Sequence, residues 1–343
     1  MRRLALFAGF VFTAVALAAA PAVACGGLVG ENGTIKLTRT TTLAAYHDGV
    51  ERYVTSFEFA GVGAEVGSIV PLPGVPTKVE RGGDWTLQRL EREVQPPLLD
   101  KELAAQSASG AADADAEVLY QTKIDALDIT ILRGGGAEVG RWAIDHGFLL
   151  TPDAPAVLDF YSQRSKVFMA ARFDATRAQE LGQSSGDGTP IMLTVPTDEP
   201  WVPLRILALG LDRTQVVNAD VFLLTDDRPT LLAGDEGVEV ARSEAASTGL
   251  LADLRADQGM EWVPDAMWLT YVRVDAPAAA LRHDLAVSTR AGTLPSARLA
   301  GYTVRSDAAT SNELVPPWWY LVAVGAPVAL IAAGRAVNRR RAA

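Results

Sequence analysis

From residue 34 to residue 60 apolar and polar positions alternate: Ile35 and Leu37 stand among Thr and Lys, and Tyr53, Thr55, Phe57 and Phe59 fall on one face. A period of two interrupted by Asp48-Gly49 predicts a β-hairpin. A further strand is expected from Glu65 to Leu72, and the run Pro71, Pro73, Gly74, Pro76 should leave the sheet, because proline has no ladder donor. The period then changes: Leu87, Leu90 and Val94 share a helical face, with Asp84 placed as the N-cap and Pro96-Pro97 as the stop. Residues 104–116 (AAQSASGAADADA) are small and polar and read as a flexible segment. Val118–Arg133 returns to strand, Val139, Trp142, Ala143 and His146 make a helical stripe ending at Gly147, and helices are expected near 156–164, 174–181 and 243–258. Strands are expected at 166–173, 190–196, 203–211, 215–225, 267–274 and 285–304. The fold class is therefore α+β and strand-rich, with a few short helices.

The two ends follow different rules. Arg2-Arg3, an apolar run Leu4–Ala20 and Ala22-Val23-Ala24 before Cys25 match a Sec-type signal peptide over 1–24. Cys25 also stands where a lipidated cysteine stands, although Ala22 replaces the usual Leu; an ordinary cleavage site is the reading, and lipidation is the alternative. Residues 316–337 are apolar enough to span a bilayer as one transmembrane helix, with Trp318, Trp319 and Tyr320 at one interface and Arg335 to Arg341 at the other. This order puts the tail 338–343 in the cytoplasm and an ectodomain of residues 25–315 outside a bacterial cell membrane. The lipid bilayer is thus an expected partner.

Charge narrows the other partners. Of 26 Arg and 5 Lys, six Arg lie at the ends, leaving 25 basic against 41 acidic residues in the ectodomain, net −16. Such a surface repels phosphate backbones, so no nucleic acid is expected, and an envelope protein or a polymer is the expected partner class. One cysteine excludes an internal disulfide or a thiolate zinc site, and only His47, His146 and His283 supply imidazole; no cofactor and no metal is expected.

The order AAYHDGVERYVTSFEFAG, then IVPLPGVPTKVERGGDWTLQRLEREVQPP, then VLDFYSQRSKVFMAARF and PIMLTVPTDEPWVPLRILALG resembles the bacterial family called domain of unknown function 2330, over roughly residues 25–240. The resemblance implies an exported or membrane-tethered protein. It implies no catalytic residues. Family members often begin the mature chain Cys-Gly-Gly, as Cys25-Gly26-Gly27 does, and many carry a further Cys, which Leu28-Val29-Gly30 lacks.

Candidate chemistry is sparse. Gly182-Gln183-Ser184-Ser185-Gly186 matches G-x-S-x-G, but a nucleophile elbow needs a strand before and a helix after Ser184, and the pattern here is reversed. Each histidine has a neighbouring carboxylate (His47-Asp48, Asp145-His146, His283-Asp284), yet sequence neighbours are expected to point apart. Gly134-Gly135-Gly136 lies between a strand and a helix, the setting of a phosphate loop, without the fingerprint spacing or a P-loop Lys. Asp113 with Asp115, Asp226 with Asp227, and Asp235 with Glu236 lack the alternation of a calcium loop. Trp85, Trp142, Trp201, Trp262 and Trp268 are expected to pack rather than to form a sugar platform. A non-enzymatic, membrane-tethered binding or scaffolding ectodomain follows; the alternative is a tethered extracytoplasmic hydrolase using Ser184 or His146.

Overall fold

In the computed structural model the described residues are 27–30, 36–60, 66–94, 116–183, 189–232, 234–290 and 292–302. Among them the strands form three sheets. The largest has seven strands in the order β13 (Val238–Ala245), β14 (Trp268–Pro277), β11 (Val216–Thr225), β2 (Lys36–His47), β3 (Val50–Ala60), β9 (Ile191–Pro196) and β5 (Lys78–Arg81). The second runs β1 (Gly27–Gly30), β4 (Val66–Leu72), β8 (Val167–Phe173), β7 (Leu127–Arg133) and β6 (Glu117–Ile124). A small third sheet joins β10 (Trp201–Val202), β15 (Leu285–Ser288) and β12 (Thr230–Leu232). Paired strands are antiparallel except β11 and β2, which run parallel. The mixed, strand-rich α+β class read from the pattern is what the chain adopts.

Alternation explains how the large sheet serves two cores. Ala44, Tyr53, Val221, Leu223 and Val272 bury toward the five-stranded sheet, whereas Leu43, Ala45, Val54, Phe222, Leu224 and Tyr271 bury on the opposite face. Residues 221–224 of β11 are therefore apolar without interruption, the pattern of a strand covered on both sides. The second core is closed by α1 (Thr86–Val94) through Leu87 and Leu90, and by α5 (Thr248–Ala256) through Leu250, Leu251 and Leu254. On the five-stranded sheet, Val70, Met169 and Ile131 belong to the face opposite the one carrying Ile69, Ala170 and Leu132. Near this second face lie α2 (Gly136–Asp145) and α3 (Ala154–Ser162), which pack on each other. One more helix, α4 (Ala175–Glu180), follows β8.

The hairpin β2–β3 forms as expected, and Asp48 (φ 51) and Gly49 (φ 74) both take the positive φ of a type I′ turn. Several expectations are corrected. Pro71 lies inside β4, opposite Phe168, but beyond the last β1–β4 pair at Ile69, so its missing donor costs no bond to β1. The stretch 118–133 is a hairpin rather than one strand; its turn at Asp125-Ala126 lacks glycine, and Asp125 itself takes φ 48. Residues 203–211 hold a short 3-10 turn, Arg205–Ala208, because side chains rather than a neighbouring strand take the amides of Leu204, Arg205 and Ile206. The helix expected from 243 begins at Thr248, since Ser243–Ala245 complete β13; among the described residues of 285–304 only Leu285–Ser288 is strand.

Asp84 does not cap α1. Its carboxylate pairs with Arg81, and the buried Asp257, just beyond α5, accepts from Asp84 N (3.1 Å), Trp85 N (3.0 Å) and Thr86 Oγ1 (2.7 Å). A carboxylate at this helix start also meets the positive end of the dipole. Asp257→Ala is expected to cost about 2 kcal/mol and Asp84→Ala less than about 0.5 kcal/mol, as chemical denaturation would read directly.

No helix among the described residues is long and apolar enough to cross a membrane. The leader at 1–24, Cys25, Ser184, nearly all of the segment 104–116 and the span expected at 316–337 lie outside the described residues.

Candidate functional site

Register places charge on the outer face of the five-stranded sheet. Lys123 of β6 pairs with Asp128 of β7, which pairs with Arg172 of β8, and Arg172 pairs with Gly67 of β4. Paired residues share a face, so these four make one row across the sheet. The next row on that face is Gln121, Thr130, Ala170 and Ile69. Gly67 ends the charged row because Phe148 occupies the space a β-carbon would need: the ideal position lies 2.2 Å from the Phe148 ring.

Over these rows, the end of α2 leaves a pocket of about 380 Å³. Trp142, His146 and Phe148 form the aromatic wall, Thr130 and Ala170 the floor, and Lys123, Asp128 and Arg172 the charged side. His146 stacks on Trp142 with centroids 3.8 Å apart, and its Nδ1 lies 2.8 Å from the Trp142 carbonyl oxygen. A carbonyl only accepts, so Nδ1 carries the proton and donates, leaving Nε2 as the ring's other site. The buried indole N–H of Trp142 finds no acceptor among the described residues. Asp128 meets Arg177 of α4 at 2.8 Å, Lys123 at 3.3 Å and Arg172 at 3.4 Å. Burial alone would raise the Asp128 pKa; the hydrogen bond and charge of Arg177, with Lys123, outweigh it and hold the carboxyl below its ordinary range.

The other sequence candidates resolve into structural roles. Glu138 Oε2 accepts from Gly135 N at 2.7 Å, and Gly134 N donates to the Lys166 carbonyl, so the chain's own groups occupy the start of α2. A β-carbon on Gly136 would lie 2.5 Å from the Asp159 amide nitrogen of α3, which accounts for that glycine by close packing. Around the G-x-S-x-G string, α4 precedes and β9 follows, the reverse of a nucleophile elbow. The tryptophans pack separately: Trp201 stacks on Tyr161, Arg52 lies over Trp262, and Trp268 donates to Ser243.

The histidines divide. His283 and Asp284 do point apart: His283 Nδ1 meets Asp235 Oδ1 at 2.7 Å, whereas Asp284 turns inward. Asp235 also accepts from the amides of Arg282 and His283, a loop clamp rather than a cation site. His47 and Asp48 meet after all, Nε2 to Oδ2 at 3.3 Å, because the positive φ of Asp48 folds the chain back. His47 Nδ1 reaches Asp226 Oδ1 at 2.6 Å. The ligand atoms of His47, Asp48 and Asp226 lie within 4.8 Å of one another, one nitrogen and two oxygens of the kind a divalent cation takes, on an exposed turn.

Missed from sequence were Lys123, Asp128 and Arg172, because their row exists only once 118–133 is folded as a hairpin. Glu51 was also missed, although its parity with Tyr53 and Thr55 marked it as facing the core.

The fold and pocket define a strand-rich α+β protein with a preformed cleft on the outer face of its five-stranded sheet. A family model described as an uncharacterized protein conserved in bacteria, domain of unknown function 2330, matches residues 19–288, and the chain belongs to that family. Among curated proteins none matches the sequence. Among solved structures the chain is similar to baculovirus P35, at TM-score 0.42 and 11% identity over 76% of this chain and 99% of that one. A mutated baculovirus P35 after caspase cleavage gives TM-score 0.36 and 7% identity over 73% and 99%. Similarity this low carries no activity across.

Proposed function

We propose that this protein is a binding ectodomain of the bacterial envelope, held outside the cell membrane by the helix at 316–337, and that it takes a small ligand into the pocket beneath α2 without transforming it. The observation that carries the reading is the state of His146. It is the pocket's only imidazole; its Nδ1 is spent on its own helix, no carboxylate orients it, and no Ser or Cys lines the pocket beside it. A Ser or Cys nucleophile with a base backed by a carboxylate is not assembled in this pocket among the described residues, where the lining hydroxyls are those of Thr122 and Thr130. Aromatic walls with a few polar groups are what binding requires.

Topology is tested by protease treatment of spheroplasts carrying a C-terminal tag. A short tagged fragment that survives until detergent is added supports the tether. Full-length protein protected until permeabilisation would overturn it.

A further inference from the structure

We infer that the turn end of the seven-stranded sheet binds a zinc-type divalent cation, taken between His47 Nε2 and the Asp48 carboxylate, with Asp226 as the outer carboxylate that orients the imidazole. This goes beyond the pocket beneath α2 and departs from the expectation that three histidines scattered along the sequence leave no metal site. Topology assembles the cluster. β2 and β11 run parallel with Tyr46 opposite Thr225, so the next residues, His47 and Asp226, leave the two strands side by side. The positive φ of Asp48 then returns its carboxylate to the ring.

The two contacts of His47 differ in kind. Nδ1 and Asp226 Oδ1 are 2.6 Å apart, too close for two bare acceptors, so a proton lies between them and Nδ1 donates. In the neutral ring Nε2 is then an acceptor, and it faces another acceptor, Asp48 Oδ2, at 3.3 Å. Two lone pairs at that distance repel unless a cation lies between them. The separation suits a metal, since ligands about 2.0–2.2 Å from a tetrahedral zinc lie about 3.3–3.5 Å from each other. A carboxylate on the far nitrogen of a ligating imidazole fixes its tautomer and raises its basicity, the part Asp226 plays here. The competing occupant of the gap is a second proton, which makes His47 an imidazolium bridging both carboxylates. Arg52 also feels the charge of Asp48, but its guanidinium lies over the Trp262 ring, 4.4 Å from the centroid. The Asp48 side chain, 86% exposed, stays open to an ion and its waters. An imidazole ligand favours zinc over magnesium and calcium, which take oxygen. His283 is the internal control: Asp235 sits 2.7 Å from its Nδ1 in the same way, but no second carboxylate meets its Nε2 among the described residues.

The test is nitrogen-15 NMR of the three imidazoles in the untagged, full-length, detergent-solubilised protein at neutral pH, titrated with zinc chloride. The His47 resonances are identified by their loss in His47→Gln. Zinc is expected to move His47 Nε2 saturably while His146 and His283 hold still, and magnesium or calcium at the same concentrations is expected to move none of them. Asp48→Asn and Asp226→Asn are each expected to weaken zinc by at least about tenfold. Asn-Gly is a favoured pair for this turn, so the first substitution keeps the hairpin. A His47 signal that zinc leaves unmoved, equal shifts at all three imidazoles, or an affinity unchanged in Asp48→Asn overturns the inference: the gap then holds a proton, or the zinc binding is adventitious.

Discussion

Glu51→Gln is expected to stabilise the protein at pH 8 by about 4 kcal/mol and to leave it almost unchanged at pH 4.5, with a flatter pH profile between. Glu51 is fully buried on β3, paired in register between Tyr46 and Val195, and neither carboxylate oxygen has a hydrogen-bond partner among the described residues. The nearby Tyr46 hydroxyl donates elsewhere, to the Thr197 carbonyl. Burial pushes the Glu51 carboxyl up to about 8. A raised acid pKa means that the folded state holds its proton while the unfolded chain releases it. The contribution is fully present below about 4.5 and is lost as pH rises through about 8, at about 1.4 kcal/mol per pH unit. Glutamine keeps the neutral shape and removes the titration. Urea denaturation of both proteins at pH 4.5, 6 and 8 reads the difference, and parallel pH profiles would show that ionised Glu51 is paired or hydrated.

Asp284→Ala is expected to be among the most damaging single substitutions, at about 3–5 kcal/mol, because it strands a buried guanidinium. Asp284 and Arg164 have side-chain exposures of 0% and 3%, and their charged atoms lie 2.8 Å apart. That contact falls outside hydrogen-bond alignment, so the carboxylate is held as much by its other donors: Tyr161 Oη, Leu204 N and Arg205 N, all on Oδ1 within 3.0 Å. Burial raises the Asp284 pKa, and Arg164 with these donors offsets only part of that. The Tyr161 hydroxyl in turn accepts from Ile206 N, and Arg164 donates to the Leu299 carbonyl beneath a sandwich of Phe160, Tyr161 and Trp201. One carboxylate thus ties α3, the 3-10 turn and the segment near residue 300 together. The double substitution Asp284→Asn with Arg164→Met removes the uncompensated charge and is expected to recover more than half of the loss, measured by thermal unfolding.

How much of this was legible follows from which interactions are local. The hairpin at Asp48-Gly49 and the stripe of α1 are written in periods of two and 3.6, so periodicity located them, and the apolar run of 215–225 marked the strand that became β11. His146 was picked out by its place on the α2 stripe, near the aromatic residues that now flank it. What stayed hidden depends on partners far along the chain. Asp257 caps a helix more than 160 residues upstream, as its bonds to Asp84 and Trp85 show. The strand expected at 203–211 failed for the same reason, its amides being claimed by Asp284 and Tyr161. The charged side of the pocket required a turn, Asp125-Ala126, that carries no glycine to announce it.

The central claim is that ligands bind beneath α2, and fluorine NMR of the full-length protein labelled with 5-fluorotryptophan tests it most directly. The Trp142 resonance is identified by its loss in Trp142→Phe. On addition of phenylacetate or phenylacetamide that resonance is expected to shift saturably while those of Trp201, Trp262 and Trp268 hold still. A saturable shift at another tryptophan with Trp142 unmoved would contradict the account.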